Sequence, residues 1–110
     1  MNAADRSDDD STAPETLAAV LAAVGHPMRM RALAAFRDGA LSPVGLTRRF
    51  DEPRPTVGAV AYHVRKLESA GLIALSETIP RRGAIEHRFE LTPAGVAMAD
   101  ALEALRGLDL

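Results

Sequence analysis

Apolar residues recur along this chain at two spacings, and the change from one to the other divides it. Up to residue 72 the spacing is helical. Leu17, Val20, Leu21 and Val24 form a first run, opened by Thr12-Ala13-Pro14-Glu15 and closed by Gly25. That opening has the capping-box form, with a proline in the first turn. Pro27 starts a second helix, in which Met28, Leu33 and Phe36 face the core and Met30 lies on that face or its edge. It ends near Asp38-Gly39. Ser42-Pro43 caps a short third helix over 44–50, and the turn Asp51–Thr56, with Pro53 and Pro55, interrupts it.

The fourth run organises the rest. Val57, Val60, Val64 and Leu67 fall at i, i+3, i+7 and i+10, within about 80° of one another on a helix. With that stripe buried, Gly58, Tyr62, Arg65, Lys66 and Ser69 point away from it. Ala61 sits at the outer shoulder, Glu68 at the inner one, and Gly71 supplies the left-handed exit. After Leu72 the period shortens. Residues 73–79 read as a strand, and in 84–91 Ile85, His87, Phe89 and Leu91 share one face. Pro80-Arg81-Arg82-Gly83 is the hairpin tip. Thr92-Pro93 caps a last helix whose stripe of Val96, Ala99, Leu102 and Leu105 exceeds what one small domain covers, so it reads, together with the Ala-rich first helix, as a dimer seam.

Charge becomes informative only when it is divided along the chain. The net charge is −2, but residues 16–92 carry eleven cations and seven acids, and both ends are acidic. The basic part is the part with the helix, turn, helix and hairpin. Residues 1–11 are expected to form a disordered acidic tail ahead of one domain over 12–110. Aromatics make up 4% of the chain, so Val, Leu and Ala must pack the core and helices must approach closely. There is no cysteine, no apolar run of membrane-spanning length and no signal-like N-terminus, which leaves a cytoplasmic protein as the expectation. The residues hold no Ser-His-Asp arrangement and no Gly-rich phosphate loop; Gly83 and Gly95 read as lone turn residues, and no enzyme or cofactor is expected.

The fold class that follows is mainly α with a small β-hairpin wing, a winged helix-turn-helix. Gly25–Leu33, Tyr62–Ile73 and the wing 79–85 carry a likeness to a known family. The chain resembles the winged-helix DNA-binding regulators of bacteria, most closely the ArsR type. The resemblance implies a homodimer that puts two recognition helices into successive major grooves of double-stranded DNA, with the wings on the flanking backbone. It implies a repressor, released by a metal ion or a small-molecule effector. The chain departs from the metal-sensing pattern, because the last helix offers Asp100 and Glu103 but no histidine, and no metal site is expected.

The outer face of the fourth helix suits that role chemically. Tyr62 and Arg65 would approach base edges, and Gly58 and Ala61 would permit close contact. Lys66, Arg81, Arg82 and Arg54 would bind phosphates. The Thr56 hydroxyl would cap the helix or donate to a phosphate, and His63, on the flank, would bond a phosphate or pack. His26 reads as a capping or packing residue. The alternative is a winged-helix protein-interaction module without specific DNA binding, which the acidic ends keep open.

Overall fold

A computed structural model describes residues 12–108, with side chains described from Leu17 on. The tail 1–11 and the side chains of the capping box lie outside the described residues. The chain runs α1 (Thr12–Val24), α2 (Pro27–Phe36), α3 (Pro43–Thr47), α4 (Val57–Ser69), β1 (Ile73–Arg81), β2 (Ala84–Leu91) and α5 (Pro93–Arg106). None of the described helices is long and apolar enough to cross a membrane.

Local chemistry sets the helix ends. His26 Nδ1 accepts from the Met28 amide at 3.1 Å and caps α2. Ser42, Thr56 and Thr92 cap α3, α4 and α5 through their hydroxyls, each accepting the amide three residues on. At the exit of α4 the Leu72 amide bonds the Leu67 carbonyl and the Gly71 amide bonds the Glu68 carbonyl. Gly71 has a φ of +78°, and Leu67 and Leu72 are both buried, so the helix ends in a complete Schellman motif.

The core lies where α2, α3, α4 and the base of the hairpin meet. Leu33, Leu46, Val60, Val64, Leu67, Leu72 and Ile73 are its fully buried side chains. Each contributes about 1.5–3 kcal/mol over an exposed position. Phe36 and Ala99 close it from α2 and α5.

The hairpin is antiparallel, with Ile73 opposite Leu91, Leu75 opposite Phe89 and Pro80 opposite Ile85. A bulge between Leu75 and Glu77 shifts the register, and Leu41 bonds Phe89 on the other edge. The tip is tighter than the sequence predicts. β1 runs through Arg81, leaving Arg82-Gly83 as the turn. The shared face of β2 is covered only at its base. Phe89 and Leu91 pack on the core, whereas Ile85 and His87 are exposed, because the outer half of the hairpin faces α3 and α4 across an open cleft.

Three other expectations are corrected. Val57 is 44% exposed and lies outside the core, because it opens onto a cleft that it lines together with Val44 of α3. Glu68 is exposed rather than on the inner shoulder. Gly95 is not a turn residue. It sits in the first turn of α5, where a Cβ would lie 1.9 Å from the Leu72 carbonyl oxygen. Its close approach, with Thr92 Oγ1 donating to the Gly71 carbonyl and the Thr92 amide to Leu72, clamps α5 to the exit of α4.

Candidate nucleic-acid interface

Helix α4 is bordered on both sides by clefts, and its outward face lies between them. Val60, Val64 and Leu67 anchor it inward. Gly58, Tyr62, Arg65, Lys66 and Ser69 are exposed, and Ala61 is half-buried at the edge. Tyr62 is 48% exposed, with Lys66 Nζ 5.5 Å from its ring centroid. This distance is within the range of a cation–π contact, which orients the ammonium along the face.

On one side of α4 a cleft of about 920 Å³ opens between α3, α4 and the wing. Ala61, Arg65, Arg48 and Arg81 line it, with Val44 and Ile85 on its apolar walls. The wing thus stands beside α4 as a second surface. Arg81 Nε donates to Glu86 Oε1 at 2.7 Å, and Arg88 Nε donates to Glu86 Oε2 at 3.2 Å. These hydrogen bonds, that from Arg81 first, hold the Glu86 carboxyl below the usual carboxylate range. Arg82, at the turn, has no ion-pair partner among the described residues.

The predicted residues do not all join this surface. Gly58, Ala61, Tyr62, Arg65 and Lys66 come together on α4, Arg81 lines the cleft beside them, and Arg82 is exposed at the wing turn. Thr56 spends one lone pair on the cap, accepting from the Ala59 amide at 3.1 Å, and keeps its hydroxyl proton. Arg54 is held in its own loop, with Nε donating to the Phe50 carbonyl at 2.9 Å and Nη1 3.6 Å from Glu52 Oε2. That loop is also longer than the predicted six-residue turn, since α3 ends at Thr47 and α4 starts at Val57.

His63 is the misplaced member. It is 9% exposed and turned toward α2, with its ring 4.4 Å from that of His26. Arg29 Nη1 donates to its Nδ1 at 3.3 Å. A guanidinium cannot accept, so Nδ1 carries no proton. Burial, followed by the nearby His26 and Arg29, holds its pKa below the ordinary histidine value. The reason is angular. His63 lies on the side of α4 that meets α2, and a groove-bound phosphate would not reach its ring. Sequence reasoning missed Arg29, which the fold brings to α4 from 34 positions upstream. The spacing within α2 carries no sign of that meeting.

A short helix, a loop, a second helix with an uncovered polar face and a hairpin standing beside it define a winged helix-turn-helix protein. A family described as a helix-turn-helix domain matches residues 24–76, from the end of α1 through α4 into β1. No curated protein matches the chain. Among solved structures, a transcriptional regulator of the MarR family from Enterococcus faecalis V583 is 20% identical. The alignment covers 99% of this chain and 91% of that one, with a TM-score of 0.69. A homodimeric winged helix-turn-helix DNA-binding domain from Mycobacterium bovis, described as a possible ArsR-family regulator, is 13% identical over 93% of this chain and 88% of that one, at a TM-score of 0.70. The transcriptional repressor BigR from Xylella fastidiosa is 20% identical over 86% and 87%, at 0.58. The chain has the winged helix-turn-helix fold of these ArsR- and MarR-type regulators.

Proposed function

We propose that this protein is a dimeric, sequence-specific regulator of transcription that binds duplex DNA, acts as a repressor and works in the cytoplasm. One observation carries the reading: α4 buries Val60, Val64 and Leu67 and leaves Gly58, Tyr62, Arg65 and Lys66 uncovered between two basic clefts. Small residues let that face approach base edges. Arg65 supplies a bidentate donor suited to guanine, and Tyr62 a hydroxyl with an apolar ring. Lys66, Arg81 and Arg82 meet phosphates, and Arg54 joins them only by leaving Glu52. The exposed Leu17 and Leu21 on α1, and Val96 and Leu105 on α5, support pairing of two copies. The M. bovis neighbour is described as homodimeric, and the X. fastidiosa one as a repressor.

Selection of bound duplexes from a random pool tests this reading. Enrichment of a two-fold-related site with half-sites one helical turn or a multiple apart is expected. Arg65→Ala should then cost about 1–3 kcal/mol on that site and relax preference at one base pair. A pool that stays random, with no binding at low salt, would instead favour the protein-interaction module.

A further inference from the structure

The side of α4 away from the wing holds a second cleft, of about 390 Å³, between α1 and the C-terminal half of α4. Ala19, Ala22 and Ala23 wall it on the α1 side. Arg29, Lys66, Tyr62 and Ser69 supply its polar lining, with no carboxylate among the described residues that line it. Arg29 reaches it from α2, partly buried. His63 holds the guanidinium through Nη1, while the buried Nε has no hydrogen-bond partner among the described residues. A cation kept at a cleft by a neutral imidazole, with no acid beside it among the described residues, is a costly arrangement unless an anion completes it.

We infer that Arg29 and Lys66 form a clamp for a backbone phosphate of bound duplex DNA, on the strand opposite the one the wing meets. The inference rests on the DNA-binding reading of α4 and adds a site to it. A helix in the major groove has one phosphate backbone on each flank. The wing-side cleft offers Arg48 and Arg81 to one of them. The α1-side cleft offers Arg29 and Lys66 to the other, and the Tyr62 and Ser69 hydroxyls lie in the same lining as further donors. Arg29 stacks no base and reads no sequence there. It fixes how deep and at what angle α4 sits, and the His63 contact sets the direction of the guanidinium.

The test is a salt titration of the full-length protein against a random-sequence duplex, followed by fluorescence anisotropy. Each phosphate neutralised contributes about 0.9 to the slope of log affinity against log salt. Arg29→Gln should lower that slope by about 0.9 and weaken binding on every sequence alike, and Arg29→Lys should restore most of the slope. A folded Arg29→Gln protein with the wild-type slope would overturn the clamp. If Arg29→Gln does not fold, Ala22→Glu puts a carboxylate at the cleft from an exposed position of α1, and the same loss of slope is expected with the dimer intact. An unchanged slope in that variant overturns the clamp as well. Absence of salt-dependent binding by the wild-type protein is a different result, and refutes the DNA-binding reading itself.

Discussion

Replacing Glu86 with glutamine should make this protein bind duplex DNA more tightly and with a steeper salt dependence. Glu86 accepts from Arg81 at 2.7 Å and from Arg88 at 3.2 Å, so one carboxylate holds two wing guanidiniums. Arg81 is more than half exposed and lines the cleft beside Arg65. It can turn to a phosphate only by leaving that carboxylate. Removing the charge frees Arg81, and one additional phosphate contact adds about 0.9 to the salt slope. Between 50 and 200 mM salt that is a factor of about 3.5 in how far affinity falls. Arg82 starts without such a partner among the described residues, so Arg82→Ala should remove about the same factor, and Arg81→Ala should remove less. Anisotropy on a random duplex across that salt range measures all three. Glu90→Gln is the control, because it makes the same charge change at an exposed position of β2 with no ion pair among the described residues. If Glu86→Gln and Glu90→Gln gave the same slope, the argument that Glu86 restrains Arg81 would be wrong.

Three further outcomes are expected. Gly95→Ala would force a Cβ to within 1.9 Å of the Leu72 carbonyl, so α5 must move and strain the Thr92 clamp. Overpacking and weakened hydrogen bonds outweigh the gain in helix propensity, for a net loss of about 2–4 kcal/mol in chemical denaturation; wild-type stability would contradict the clamp. His63 has a lower pKa folded than unfolded, so the unfolded chain takes up its proton first. Stability should therefore be full above about pH 6.5 and fall as pH drops through that value toward the folded pKa. Urea titrations of wild type and His63→Gln between pH 7.5 and 5.5 should show a steeper decline in wild type, and equal declines would remove His63 as the cause. Leu105→Glu, at a side chain 49% exposed on α5, should shift sedimentation from dimer toward monomer while the helical spectrum is kept. Sedimentation unchanged from wild type would move the seam away from α5.

Much of the architecture was legible before any coordinates, since the signals involved are local. Ser42, Thr56 and Thr92 stand where a hydroxyl reaches an amide three residues on, and Gly71 stands where the backbone must turn left-handed. The stripe of Val60, Val64 and Leu67 needed only the helical repeat to point inward. Val57 failed at the same repeat, since periodicity says which way a side chain faces and not whether that side meets a packed neighbour or an open cleft. Ile85 failed for the same reason at the end of the wing.

The sequence by itself determined the starts of α2 to α5, the exit of α4, the change of period at Leu72 and the polar face of α4, because each depends on residues a few positions apart. Only the tertiary structure decided what meets what. It brought Arg29 onto His63, set the backbone of α5 against Leu72 at Gly95, and tied Arg81 to Glu86. His63 went inward and Arg65 stayed outward, although both belong to one helix. The physical reason is that burial and charge pairing depend on distances between segments far apart in the chain, and those distances exist only once the core of α2, α4 and the hairpin base has closed.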